Sequence, residues 1–245
     1  MRDARPILLL TRPLSGAERF TKAVNDRFGD AIEVAISPLQ EIEWLDVDRA
    51  DDQPEAPIFT SQNGVYGWNR ANSGFTGVAY CVGPQTTELA TQLGLQAVDC
   101  GGNADAVVGV VSKANLNGHV VHYRGVHGRG DIAQRLQTSG VNCEERVVYR
   151  QVALSPDPLF SAVLSSDRPV LAALFSPRSA TLFSEHVPND AAIWLAVISP
   201  SVAERLDLML QCRMMVAEAP NAGAMLDLVE EFLKTCGSGC DDDLA

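Results

Sequence analysis

Two arginines occupy matched places in this chain. Arg12 follows the apolar run Ile7-Leu-Leu-Leu-Thr11, and Arg124 follows Val120-Val-His-Tyr123. A guanidinium can hold a carboxylate through two parallel hydrogen bonds, so such a pair suits an acidic ligand as well as a solvated surface. Hydroxyl and amide side chains form a second pattern. Ser61, Ser176, Asn103 and Asn221 each stand between a strand-like run and a helical stretch, while Pro84, Pro177 and Pro200 stand where a first helical turn begins. Residues of these types are natural helix caps and first-turn residues, and capping alone would explain any one of them. Several helix N-termini gathered at one cleft would do more, because free N–H groups and helix dipoles favour carboxylates or phosphates. Arg178, two residues after Ser176, adds positive charge of the same standing. Tyr149, in Arg146-Val-Val-Tyr-Arg-Gln-Val152, is either a packing residue of a connecting strand or a phenol able to donate a proton.

Other motifs exclude chemistry. Gly125-Val-His-Gly-Arg-Gly130 reverses the spacing of a dinucleotide fingerprint, and neither a Walker A loop nor a G-x-S-x-G elbow is present. Arg129-Gly-Asp131 is a short coincidence. His119, His122 and His127 lie close in sequence, but His119 and His122 fall on opposite faces of a strand and lack a cysteine partner, so no metal site is expected. The six cysteines are scattered without a CxxC pair, which argues against both a disulfide framework and zinc. Cys81, Cys100 and Cys143 fall in apolar segments and are expected to be buried thiols. Cys236 and Cys240 belong to a polar tail, residues 236–245, expected to be disordered. A formal net charge of -12 disfavours nucleic acid and anionic membrane as partners. No apolar run approaches a membrane span, and the opening Met1–Thr11 reads as a first strand rather than a signal peptide, so a soluble cytoplasmic protein is expected.

These residues must be positioned by an alternation of short strands and amphipathic helices, the pattern of a parallel α/β sheet. Strands are predicted over Ile7–Thr11, Glu33–Ser37, Ile58–Ser61, Val78–Val82, Gln96–Asp99, Val120–Arg124, Val147–Val152, Val170–Phe175, Ile193–Ile198 and Met214–Ala217. The series is internally repeated. Ile58-Phe-Thr-Ser61 resembles Ala173-Leu-Phe-Ser176. Tyr80-Cys-Val-Gly83-Pro84 resembles Ala196-Val-Ile-Ser199-Pro200, and Asp99-Cys-Gly-Gly-Asn103-Ala resembles Glu218-Ala-Pro-Asn221-Ala. The separation of partners drifts slowly, as loops in a duplicated fold would make it. The next unit, Val121-His-Tyr-Arg124, instead matches Leu9-Leu-Thr-Arg12 at the start of the chain. The repeat is therefore permuted. The expected organisation is two similar parallel-sheet α/β domains joined where the chain crosses between them twice. One domain, residues 42–150, is inserted into a discontinuous one formed by residues 1–37 and 155–245, with crossings at 38–41 and 150–155. A double crossing suits opening and closing over a small acidic ligand.

The motifs together resemble the uroporphyrinogen-III synthase family: Thr11-Arg12-Pro13, Phe59-Thr60-Ser61, Phe175-Ser176-Pro177, Val82-Gly83-Pro84, Tyr123-Arg124-Gly125, Val148-Tyr149, and Ala219-Pro220-Asn221 with Ala224-Met225-Leu226. The resemblance runs from about residue 7 to 234 and rests on order and spacing, since each motif is short. It implies two α/β domains joined by a two-stranded β connector with the active site in the cleft, and a hydro-lyase of tetrapyrrole biosynthesis, without cofactor or metal, that cyclises hydroxymethylbilane to uroporphyrinogen III with inversion of ring D and loss of water. Nothing in the sequence demands more than a monomer. It further implies that Tyr149 assists departure of the hydroxyl group, and that Ser61, Thr86, Ser176 and Ser201 line the active-site cleft. The sequence departs from the family at Ser199, where Gly commonly precedes Pro200, and at Val202, where a second hydroxyl residue is frequent. Two further readings share the fold logic: a non-enzymatic two-domain sensor of small anions, and a catalytically inactive regulatory relative.

Overall fold

The first strand sets the pattern for the whole chain. In β1 (Ile7–Leu10), Ile7 and Leu9 enter one hydrophobic core while Leu8 and Leu10 enter another on the opposite face. Alternate side chains of a strand point to opposite faces, so an unbroken apolar run needs helices on both sides of its sheet. The structure, a computed structural model, describes residues 5–46, 54–71, 74–128, 130–189, 191–206 and 213–237. It divides into two compact units. The first comprises the chain up to Glu41 together with that from Val152 onward, and the second comprises Ile42–Gln151.

In the first unit, β1 is followed by α1 (Leu14–Phe28) and β2 (Glu33–Ile36). The chain returns to this unit with α6 (Pro158–Leu164), β9 (Val170–Leu174), α7 (Pro177–His186), β10 (Trp194–Val197), α8 (Pro200–Ala203), β11 (Arg213–Val216) and α9 (Ala222–Gly237). Its sheet has the order β11-β10-β9-β1-β2, and every neighbouring pair is parallel. Residues of α1 and α9 fill the core on one face, and residues of α6, α7 and α8 fill it on the other.

The second unit contains β4 (Ala56–Phe59), α2 (Gln62–Ala71), β5 (Val78–Cys81), α3 (Pro84–Gln92), β6 (Gln96–Asp99), α4 (Ala104–Val111), β7 (Val120–Gly125) and α5 (Ile132–Thr138). The sheet order is β3-β8-β7-β4-β5-β6, where β3 is Gln40–Trp44 and β8 is Cys143–Ala153. Helices α4 and α5 contribute to the core on one face, and α2 and α3 to that on the other. Helix α2 lies very close to the sheet because it presents glycines to it. A Cβ on Gly64 would come within 2.6 Å of the Tyr123 carbonyl oxygen, and one on Gly67 within 2.5 Å of Val148 Cγ2.

The permuted repeat is visible in these strand orders. Apart from β3, the second sheet runs β6-β5-β4-β7-β8 where the first runs β11-β10-β9-β1-β2. Thus β4 corresponds to β9, β5 to β10, β6 to β11 and β7 to β1, which are the segments paired by sequence similarity.

Ten of the strands coincide with the apolar runs of the sequence, but β3 does not. Its residues Gln-Glu-Ile-Glu-Trp carry too much charge to read as a strand, and it lies at a sheet edge where polar side chains are tolerated. It pairs with β8, the Leu45 N–H donating to Val148 O at 3.1 Å and the Leu154 N–H to Leu39 O at 2.9 Å. The partners advance in opposite directions, so the pair is antiparallel. The boundary between the units falls within each of these two strands. Strand β8 begins at Cys143, four residues before the predicted start at Val147, because the charged pair Glu144-Glu145 stays exposed on an otherwise paired strand. Helix α9 extends through Gly237, so Cys236 is helical; residues 238–245, Arg129 and Cys212 lie outside the described residues.

Candidate functional site

In an open parallel sheet the strands' carboxyl ends face the ligand side, and the favoured place is where the chain's direction of travel across the sheet reverses. In the second unit the reversal lies between β4 and β7, because the chain proceeds from β4 to β5 and β6 on one side and from β7 to β8 on the other. Thr60, Ser61, Arg124 and Gly125 occupy that point. Ser61 caps α2, its Oγ accepting from the Gly64 N–H at 3.1 Å, and the same oxygen lies 3.2 Å from the Tyr149 hydroxyl. Tyr149 reaches this position through an irregularity in β8. Arg124 pairs with Val147 but Gly125 pairs with Tyr149, so one residue of β8 is inserted, and such a bulge re-aims the side chains around it. Two further contacts hold the phenol ring. Trp44 meets it edge-on with centroids 6.3 Å apart, and Gly125 leaves the space it fills, since a Cβ there would stand 2.6 Å from Tyr149 Cζ.

Behind this pair a polar chain runs outward from a buried histidine. His122 is almost fully enclosed; its Nε2 lies 3.1 Å from Thr60 Oγ1, and its Nδ1 lies 3.7 Å from Glu145. Burial pushes its pKa down to about 4, against the opposing pull of Glu145, so the ring is neutral near pH 7. Glu145 in turn accepts from Arg124 Nε at 2.8 Å and forms an ion pair with its Nη2 at 2.6 Å. The remaining guanidinium nitrogen of Arg124 donates to the carbonyls of Gly125 and Val126 at 2.9 and 3.1 Å. The charge and donors of Arg124 are thereby committed within the protein.

The matched reversal in the first unit lies between β1 and β9 and carries Thr11, Arg12, Phe175 and Ser176. Here Phe175 stands where the second unit has Thr60. The guanidinium carbon of Arg12 lies 4.2 Å from the Phe175 ring centroid, a cation–π contact, and Phe175 is itself braced edge-on by Phe20 at 4.8 Å. Burial, with help from the charge of Arg19, lowers the Arg12 pKa to about 10, which still leaves it protonated near neutrality. Ser176 caps α7 in a reciprocal box: its Oγ accepts from the Ser179 N–H at 3.1 Å, and Ser179 Oγ accepts from the Ser176 N–H at 3.0 Å. Arg178 stands in the first turn of that helix, half-buried.

The helix starts fall into two classes. Ser61, Ser176, Asn103 and Asn221 all act as caps, Asn103 accepting from the Ala106 N–H at 2.8 Å and Asn221 from the Ala224 N–H at 2.9 Å. The starts of α1, α3, α5 and α8 have no side-chain cap, and of these α3 and α8 have Pro at the first helical position. At these matched starts, Gly83-Pro84 and Ser199-Pro200, no side chain accepts from the first-turn N–H groups. Thr86 is buried within the first turn of α3, whereas Ser201 is exposed and its hydroxyl lies 3.0 Å from that of Ser199. Ser199 causes no backbone conflict. Its φ of -165° and ψ of 162° are extended values open to any residue, close to the -169° and 178° of Gly83.

The structure thus brings Ser61 and Tyr149 together in the second unit, and Arg12 and Ser176 to the strand ends of the first. Sequence reasoning passed over Trp44, His122, Gly125 and Phe175. Gly125 and Phe175 carried a signal that could have found them, since they stand inside the motifs Tyr123-Arg124-Gly125 and Phe175-Ser176-Pro177. Burial raises the thiols of Cys81, Cys100 and Cys143 to about 12, 11 and 11, so they are unreactive core residues. Among the described residues no three His, Cys, Asp or Glu side chains gather as a metal site would need, and no helix is long and apolar enough to cross a membrane.

The sequence profile of the HEM4 family, uroporphyrinogen-III synthase HemD, matches residues 19–227. Among solved structures, the crystal structure of uroporphyrinogen-III synthetase from Helicobacter pylori aligns with a TM-score of 0.65 at 15% identity, covering 93% of this chain and 99% of that one. A mutant uroporphyrinogen III synthase from the extremely thermophilic bacterium Thermus thermophilus aligns with a TM-score of 0.50 at 15% identity, covering 95% of this chain and 100% of the other. At these identities the alignments speak to the fold. Among curated sequences none matches.

Proposed function

The chain belongs to the uroporphyrinogen-III synthase family, and from that premise we propose that it acts as a hydro-lyase, cyclising hydroxymethylbilane to uroporphyrinogen III and releasing one molecule of water per turnover. The observation that carries this reading is the family match over residues 19–227. In the reaction, the hydroxymethyl group on ring A takes up a proton and leaves as water, while the ring nitrogen's electrons form an azafulvene-type cation. The substituted carbon of ring D attacks that cation to give a spiro intermediate. The spiro centre then reopens and the chain recloses with ring D inverted, the final loss of a proton restoring the pyrrole.

The bilane also cyclises unaided to the type I isomer, so the protein's task is to control conformation and to stabilise developing charge. Tyr149 is the group suited to protonate the departing hydroxyl. Ser61 Oγ already accepts from the Gly64 N–H, and its own proton can be given to the Tyr149 oxygen 3.2 Å away. The phenol O–H is then left to donate to substrate. The substrate is an octacarboxylate, and the groups suited to its carboxylates are the uncapped starts of α3 and α8 with Ser201, and the guanidinium of Arg12. Ser61, Ser176 and Asn103 hold helix starts in place, so their contribution to binding comes through the turns they order. The sensor reading has no observation in its favour.

The test is an isomer assay. Purified protein is given freshly prepared hydroxymethylbilane, and the oxidised products are resolved. Type III product forming faster than spontaneous closure is expected; type I alone, at the spontaneous rate, would refute the reading.

A further inference from the structure

The duplicated chain carries a duplicated arginine, yet the two copies have opposite surroundings. Arg124 lies against Glu145, and its other donors tie down the carbonyls of Gly125 and Val126. Arg12 has no acidic partner among the described residues. Its Nε is buried without a hydrogen-bond partner, and the charge it feels most is the repulsive one of Arg19. A largely desolvated cation left without an anion is costly, and proteins pair or neutralise such groups. The protein nevertheless builds a seat for this one. One face of the guanidinium rests on the Phe175 ring at 4.2 Å, and Phe175 is held by Phe20. On the α1 side the room is made by Gly16: a Cβ there would stand 2.6 Å from Arg12 Nε and 2.9 Å from Nη2. Any side chain at position 16 would displace the guanidinium from this place.

We propose that Arg12, seated between Phe175 and Gly16 at the strand reversal of the first unit, is the molecule's carboxylate clamp, and that Gly16 is its positioning residue. Its repeat partner Arg124 has instead become an internal strut. The missing partner of Arg12 is a carboxylate of the ligand, which the planar guanidinium can take through two hydrogen bonds while stacked on the ring. The identity of that ligand as the bilane rests on the function proposed above; the clamp itself rests on the two environments.

The test uses Arg12→Met, Arg12→Lys and Gly16→Ala in the full chain. Type III isomer formation supplies kcat and KM, and titration with uroporphyrin III, a stable octacarboxylate, supplies affinity independently of turnover. Loss of a charge-assisted contact predicts that Arg12→Met raises KM and weakens uroporphyrin III binding about tenfold or more. Because a partnerless buried cation is removed, Tm should hold or rise. Gly16→Ala should weaken binding in the same direction without lowering Tm, because the atoms it displaces are the far end of a flexible side chain. Arg12→Lys should fall between, keeping the charge but losing the planar fork. Wild-type affinity in Arg12→Met, or in Gly16→Ala with its fold intact, overturns the clamp. If the wild-type protein forms no type III isomer, the enzymatic reading falls while the titration still decides the clamp.

Discussion

Tyr149→Phe separates a chemical role for the phenol from a packing role, because the two differ widely in size. The substitution removes one oxygen and keeps the ring, so the edge-on contact with Trp44 at 6.3 Å and the close fit over Gly125 remain. What is lost from the fold is the half-buried hydrogen bond to Ser61 at 3.2 Å. A neutral bond of that kind contributes about 1 kcal/mol. In a chain of this size such a loss lowers Tm by roughly 2–4 °C. If the phenol protonates the departing hydroxyl, kcat falls by about 10²- to 10⁴-fold. That corresponds to roughly 3–5 kcal/mol of barrier, several times the stability effect. The assay is type III isomer formation at saturating hydroxymethylbilane, with Tm measured on the same preparation. Gly125→Ala supplies an independent arm: its Cβ would stand 2.7 Å from Tyr149 Cε2 and 3.0 Å from the hydroxyl, so the ring must swing away. It should lower kcat in the same direction with the phenol intact. A kcat for Tyr149→Phe within about threefold of wild type, below the span of general acid catalysis, would make Tyr149 structural and refute the reasoning.

Gly64→Ala should be strongly destabilising, by about 2 kcal/mol or more on chemical denaturation, because its Cβ would press 2.6 Å from a backbone carbonyl of β7 that cannot move aside. Asn221→Ala should cost about 1 kcal/mol in the same experiment, through the lost cap on α9. His122 makes the fold acid-sensitive. Its folded pKa of about 4 lies below the unfolded value near 6.5, so the unfolded chain binds the proton first. Its contribution is fully present above pH 6.5 and is lost as pH falls towards 4, a change of about 3 kcal/mol over that window. Denaturation of His122→Gln at pH 7 and pH 4.5 should show a smaller difference than wild type; an equal difference would locate the acid sensitivity elsewhere.

Much of the architecture was legible because local rules and the global fold agree. Apolar runs bounded by turn residues marked ten strands, and each strand's second face was satisfied by a helix the same sequence also signalled. Ser61, Ser176, Asn103 and Asn221 cap helices as their types and places predict, because a cap depends on atoms three residues away. The strand β3 was not legible from its own residues; only the family resemblance implied a β connector there. It pairs with β8, roughly a hundred residues away in sequence, and its charges are tolerated only because it lies at an edge. Trp44, and with it part of the support for Tyr149, was lost to the reading along with that strand.

The sequence by itself determined the alternation of elements, the permuted duplication and the set of side chains able to meet an anion. It could not rank that set. Arg12 and Arg124 occupy equivalent positions after equivalent strands, and nothing local distinguishes them. Only the tertiary structure decided between them. Glu145 of β8 beside Arg124 makes that residue a neutralised strut, and the Phe175 ring beside Arg12 leaves it a cation in want of an anion. The physical reason is range. Capping and periodicity act over a turn of helix or a pair of strand residues, whereas the charge state, burial and partnership of a side chain are set by neighbours that only folding brings near.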